Sequence, residues 1–244
     1  ADLGSIKAVV LGQTNTCAIK LDNSLQCWGL RHDGRTSFGA FKAVSLGGPM
    51  GSGNICAIKA ADDSLQCWGL NNFGQTTFPA DLGSVKAVAL GLAHTCAIKA
   101  DDFLQCWGLN TSGQKTVPAD LGAVKAVSLG ASHTCAIKSD NSPQCWGANS
   151  VWNQVTGQAT VPADLRAVKA VALGDFHTCA IKEDKTLQCW GSNTFGKIDV
   201  PAGLEAVKAV ALGLAHTCAI KTDDSLQCWG RNDYGQTIVP EGLR

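Results

Sequence analysis

Residues 80–118 read ADLGSVKAVALGLAHTCAIKADDFLQCWGLNTSGQKTVP, and the rhythm of this stretch decides the fold. VKAVALG alternates and stops at Gly91, TCAIK alternates again after the next loop, and LQCWG follows the Asp101-Asp102 tip. Strand-length runs bounded by Gly, Asp and Asn predict three short strands joined by tight turns. The extended piece ending in Val117 and Pro118 predicts a fourth strand at the sheet edge, where Pro's missing N–H breaks no ladder.

The same pattern recurs along the chain. Aligned on Cys-Trp-Gly, it places Trp28, Trp68, Trp107, Trp146, Trp190 and Trp229 at spacings of 40, 39, 39, 44 and 39 residues. One supersecondary unit is therefore used six times, over about residues 1–39, 40–79, 80–118, 119–162, 163–201 and 202–244. No repeat carries an apolar stripe long enough for a packed helix, which removes helical solenoids of similar period. Four strands in about 40 residues make a propeller blade. The expected fold is all-β: a single closed six-bladed β-propeller domain over 1–244, with four-stranded blades and one disulfide per blade. The first repeat starts at ADLGSIKAVVLG, and the last carries an additional Thr237 to Pro240. That segment is expected to complete the first blade and remove the open edges.

Composition narrows the function. Lys+Arg and Asp+Glu both number 20, so net charge gives no case for nucleic acid or an anionic membrane surface. No apolar run of about 18 residues argues for direct membrane insertion, and the Ala1 start shows neither a basic nor an apolar leader region, as expected of a mature chain. Twelve cysteines in regular pairs fit an oxidising, extracytoplasmic compartment: secreted, periplasmic or an organelle lumen.

The cysteine pairs are Cys17 and Cys27, Cys56 and Cys67, Cys96 and Cys106, Cys135 and Cys145, Cys179 and Cys189, and Cys218 and Cys228. In a hairpin that turns at the acidic tip the two members face each other within disulfide range. Each short loop is expected to stabilise by about 2–3 kcal/mol. The rival is a zinc site from His94, Cys96 and Cys106, but a structural zinc needs a fourth ligand and the first two repeats carry Asn15 and Asn54 in place of His. No metal is expected; His94, His133, His177 and His216 are expected to hydrogen-bond backbone at the start of strand two. Alternation puts Cys96, Ile98, Leu104 and Cys106 on one face and Thr95, Ala97, Gln105 and Trp107 on the other. The tryptophan of one blade can then cover the disulfide of its neighbour.

The stretch GLAHTCAIKADDFLQCWGLNTSGQ, Gly91 to Gln114, resembles the repeat of the regulator of chromosome condensation family: Gly, two variable residues, His-Thr, a strand, a turn, then Trp-Gly-x-Asn-x-x-Gly-Gln. Lys197 stands where that final Gln is expected in the fifth repeat. The resemblance implies a propeller, which in that family usually has seven blades, so six is a departure. In style the repeats are most similar to bacterial β-lactamase inhibitory proteins of propeller type, with Gly74 to Ala80 matching their Gly-Gln-Thr-Thr-Val-Pro-Ala. That likeness implies a binder acting through protein contacts alone. The guanine nucleotide exchange activity known in the family fits less well, because paired cysteines oppose a reducing compartment. Plant ultraviolet-B photoreceptors place Trp before the His-Thr, where this chain has Leu92-Ala93, Ala131-Ser132, Asp175-Phe176 and Leu214-Ala215.

Antiparallel strands send the loop after strand one and the chain leaving strand three to the same face. The opposite face holds the acidic tips Asp22-Asn23, Asp62-Asp63, Asp101-Asp102, Asp140-Asn141, Glu183-Asp184 and Asp223-Asp224, which read as turn chemistry. The first face is where the repeats differ. It carries Arg31, His32, Phe73, Trp152, Phe176, Phe195, Arg231 and Tyr234, and divergence combined with aromatics and Arg marks a contact surface. No nucleophile elbow, P-loop, H-E-x-x-H or dinucleotide motif is present, so neither an enzyme nor a cofactor is expected. The reading is a binding or scaffold module with a protein partner, as inhibitor or complex subunit. The alternative is a multivalent lectin for carbohydrate, which needs an exposed aromatic and polar set repeated in every unit. Asn110-Thr111-Ser112 is a glycosylation sequon.

Overall fold

Alternating Val, Ile and Ala runs become strands because one face can be buried, and the Asp-Asn and Gly turns between them set an antiparallel meander. In the computed structural model, which describes residues 5–12, 15–29, 39–48, 53–151 and 154–242, every repeat has this form. The chain divides into two compact units, residues 1–111 and 112–244.

The first unit contains β1 (Ile6–Leu11), β2 (Asn15–Lys20), β3 (Leu25–Gly29), β4 (Phe41–Gly47), β5 (Asn54–Lys59), β6 (Leu65–Gly69), β7 (Val85–Leu90), β8 (His94–Lys99) and β9 (Leu104–Gly108). They form three sheets, ordered β1-β2-β3, β4-β5-β6 and β7-β8-β9. The second unit contains β10 (Val124–Leu129), β11 (His133–Lys138), β12 (Pro143–Gly147), β13 (Ser150–Val151), β14 (Gln154–Val155), β15 (Val168–Leu173), β16 (His177–Lys182), β17 (Leu187–Gly191), β18 (Val207–Leu212), β19 (His216–Lys221) and β20 (Leu226–Gly230). Here β10-β11-β12, β15-β16-β17 and β18-β19-β20 are the repeat sheets, while β13 and β14 make a small hairpin in the long insertion of the fourth repeat.

Cross-strand register sets Cys17 opposite Cys27, Cys56 opposite Cys67, and so through Cys218 and Cys228. All six pairs are disulfide-bonded, with Cα atoms 4.0–4.1 Å apart. Their thiolates are thus not available to a zinc ion.

Consecutive sheets within each unit stack by one rule. In the first unit Cys56, Ile58 and Leu65 of one sheet pack with Val85, Ala97 and Trp107 of the next. In the second, Ile181, Leu187 and Cys189 pack with Val207, Ala219, Trp229 and Val200. The disulfide face of one repeat is covered by the tryptophan face of the repeat that follows, as the alternation predicts. Trp107 is consequently only 5% exposed, whereas Trp28, on the first sheet, is 41% exposed. On the last sheet Ile220 is exposed, and an open groove of about 340 Å³ runs over Leu226, Cys228, Thr237 and Val239. Its lining residues Leu226, Cys228 and Val239 are the counterparts of Leu187, Cys189 and Val200, the residues that pack with Trp229 one repeat earlier.

The expected fourth strand is corrected: among the described residues the repeat sheets have three strands. The segment that was to form it closes two turns instead, with Thr116 N–H donating to Gly113 O and Leu121 N–H to Pro118 O. Side chains consume the groups a ladder would need. Asn71 Oδ1 accepts from Thr76 N–H, and Asn193 Oδ1 from Ile198 N–H. The carbonyl of Gln75 accepts both Thr95 Oγ1 and Trp107 Nε1, at 2.8 and 3.0 Å. Gln114, Gln158 and Lys197 repeat this double anchor for Trp146, Trp190 and Trp229.

At the opposite ends of the sheets the acidic tips are Asx turns. Asp140 Oδ1 accepts from the N–H and hydroxyl of Ser142, and Asn141 sits at φ 69°. The equivalent bonds hold carboxyls 22, 62, 101, 140, 184 and 223 below the ordinary carboxylate range. The fifth tip is Asp184-Lys185 and not Glu183-Asp184, because Asp184 makes the Asx bonds to Thr186 and Lys185 takes the left-handed conformation.

Candidate functional site

Backbone bonds tie the exit of strand three to the loop after strand one in the second to sixth repeat sheets. Leu109 N–H donates to Ala93 O, Ser192 N–H to Phe176 O and Arg231 N–H to Ala215 O, all at 2.9 Å. The tryptophan's following glycine permits this close approach: Gly108 has φ +96°, and a Cβ there would lie 2.6 Å from Ala93 O. The two variable loops of a repeat therefore form one surface at one end of its sheet.

Beneath that surface lies a row of buried histidines. His133 Nε2 is 3.0 Å from Thr178 Oγ1, and His177 Nε2 is 2.9 Å from Thr217 Oγ1, each pairing with the next repeat. Because Thr178 and Thr217 give their single hydroxyl proton to Gln158 O and Lys197 O, the imidazole must donate from Nε2. This corrects the expectation of a backbone partner for these two histidines: the threonine hydroxyl stands between ring and carbonyl. Burial depresses His94 to about 4 and His177 to about 3, the latter helped by Lys197, His133 and His216.

The loops themselves are held by the repeat's glutamine. Gln75 Oε1 accepts from Phe73 N–H, Gln114 Oε1 from Ser112 N–H and Gln236 Oε1 from Tyr234 N–H. In the fifth repeat Lys197 takes that place and its Nζ instead reaches Leu214 O at 3.2 Å, 5.8 Å from the centroid of Phe176. Burial lowers the Lys197 amine and raises the Asp175 carboxyl, each partly countered by the charge of the other.

Of the sequence-predicted contact residues, the structure brings four into one region of the second unit. Arg231 lies over the rings of Phe195 and Tyr234, 4.9 and 5.5 Å from their centroids, and Phe176 lies beside Lys197. Phe73 is exposed in the first unit. Arg31, His32 and Trp152 lie outside the described residues. Sequence reasoning missed Lys197, Asp233 and Leu214 as parts of this region; the departure from Gln at 197 was the available signal. Among the described residues no group of three His, Cys, Asp or Glu side chains could hold a metal ion, and no helix is long and apolar enough to cross a membrane.

These features define a class, a disulfide-stapled β-repeat scaffold that presents variable loops at one end of its sheets. Residues 85–114, 124–151, 168–197 and 207–236, in four of the six repeats, match the regulator of chromosome condensation (RCC1) repeat. A search of curated protein sequences finds no match. Among solved structures, human WBSCR16 is similar with a TM-score of 0.77 at 17% identity, over 95% of this chain and 78% of that one. Prp20p of Saccharomyces cerevisiae, described with its binding to Gsp1p and histones, is similar with a TM-score of 0.74 at 16% identity, over 95% and 72%. The ectodomain of the Physcomitrella patens receptor kinase CR4 gives 0.73 at 22% identity, over 93% of this chain, which spans 64% of that one. These likenesses show the propeller type of fold.

Proposed function

We propose that the chain is a non-enzymatic propeller that binds a protein partner through its variable loop face, in an oxidising, extracytoplasmic compartment. The observation that carries this is the contrast between the two ends of the sheets. The tips repeat one Asx turn, while the loop end gathers Phe195, Arg231 and Tyr234 on an otherwise uniform scaffold. Aromatics and Arg are the residues that dominate binding energy at interface centres. A multivalent lectin would need its exposed aromatic set in every repeat, and the repeated tryptophan here is mostly covered by packing. The six disulfides support the compartment.

For the architecture, we propose a closed six-bladed ring, the reading that six like repeats of one supersecondary unit support. The stacking rule inside each unit supports it, since there the disulfide faces of the first, second, fourth and fifth repeats meet the tryptophan face of the repeat that follows.

The test of function is capture from native extract with the chain as bait, run beside a glycan array. The expected result is a protein whose cross-links fall on loop residues such as Phe73, Phe195 and Tyr234. Saturable glycan binding without a protein partner would replace this reading with the lectin.

A further inference from the structure

Repeat five breaks the loop rule at a single position, and the break rebuilds its loop. Lys197 has no acceptor oxygen, so Phe195 N–H lacks the side-chain cap that Gln75, Gln114 and Gln236 give to Phe73, Ser112 and Tyr234. Phe195 is also the residue at this loop position with a left-handed backbone, φ 69°, inside a short 3₁₀ turn Thr194–Gly196. That conformation is strained for an aromatic residue and persists only where its surroundings hold it. Here the ring is 53% exposed, yet the Arg231 guanidinium lies 4.9 Å from its centroid.

Tyr234, 85% exposed, flanks the same guanidinium at 5.5 Å. Asp233 Oδ2 accepts from Arg231 Nε at 2.6 Å and fixes its orientation. An Arg held by aromatic rings and by a carboxylate on Nε keeps its two Nη groups for a ligand, and that fork matches a second carboxylate in bidentate fashion. Leu214, whose carbonyl holds Lys197, adds an exposed apolar surface.

We propose that Phe195, Arg231 and Tyr234 form a clamp for a glutamate or aspartate side chain on the protein partner, with an adjacent apolar partner residue packing on the rings. Lys197 is a positioning residue: by not capping Phe195 it lets that ring reach Arg231. The clamp rests on the reading that the loop face docks a protein.

The probes are two acetylated, amidated five-residue peptides, one with Glu between leucines and one with Gln in its place. Each is titrated into the whole chain while the Arg Nε and loop amide resonances are followed by NMR. The Glu peptide is expected to bind at least about tenfold more tightly and to shift Arg231 Nε. Arg231→Lys keeps the charge but loses the fork, and Lys197→Gln restores the cap; both are expected to remove most of the Glu preference while the remaining amide spectrum is unchanged. Equal binding of the two peptides, or a preference that survives Arg231→Lys, overturns the clamp and leaves loop-face docking standing. The absence of shifts with either peptide overturns it as well. Failure of the wider reading looks different: the captured partner then cross-links at the Asp101 or Asp223 tips, and the clamp falls with it.

Discussion

Trp190 performs two tasks that few residue types can combine. Its ring packs with Ile137 and Cys145 of the preceding repeat, and its Nε1 donates to Gln158 O at 3.1 Å. Trp190→Phe keeps most of the apolar contact and removes the donor, while Thr178 still serves the carbonyl. The expected loss is about 1 kcal/mol of unfolding free energy by urea denaturation. The histidines give a second residue-scale prediction. His177 and His94 are held at about 3 and about 4 in the fold, below the ordinary 6.5, so between those values the unfolded chain binds more protons than the folded one. Stability is then fully present above about pH 6.5 and falls as the pH drops toward 4. Below that, protonation of the tip carboxyls, lowered by their Ser and Thr hydrogen bonds, takes more away. His177→Asn, the residue type the first two repeats carry, is expected to flatten the melting-temperature profile between about pH 3 and pH 6.5, the range between the value of His177 in the fold and the ordinary one. An unchanged slope would remove His177 from that acid sensitivity.

At the scale of the element, the three-stranded meander was legible because period-two alternation in VKAVAL, HTCAIK and LQCWG had only one way to bury a face. The disulfides were legible for the same reason: Cys96 and Cys106 are register partners across a two-strand turn. What sequence reading got wrong was the piece ending in Val117 and Pro118, whose composition suits an edge strand. At its start Gln114 O accepts from Trp146 Nε1, in the matching piece of the fourth repeat Ala159 N–H donates to Asn149 Oδ1, and no strand pattern announces those bonds. The candidate site was half legible. Aromatics at 195 and 234 stood out as irregular, but their meeting at Arg231 depends on the backbone turn at Phe195, which only coordinates reveal. The hairpin staple yields a prediction at this scale. Replacing Cys135 and Cys145 together by Ala should cost about 2–3 kcal/mol by denaturant unfolding, and the neighbouring disulfides should remain intact on peptide mapping.

For the whole molecule, six similar repeats stack within each unit by one rule, the disulfide face of one against the tryptophan face of the next. On the proposed ring, removing residues 237–240, which takes Val239 from the groove over Cys228, should lower the melting temperature markedly; an unchanged melting temperature would contradict that proposal. A uniform scaffold also confines specificity to the places where repeats diverge, so function should follow the loop end and ignore the tips. The most direct measurement is calorimetric affinity for the partner captured from native extract, compared across four variants. Tyr234→Ala and Phe195→Ala are predicted to weaken binding by more than about 1 kcal/mol each, while Asp101→Lys and Asp223→Lys leave it nearly unchanged. Loss of binding in the two tip variants with full affinity in the two loop variants would contradict the account and move the interface to the opposite end of the sheets.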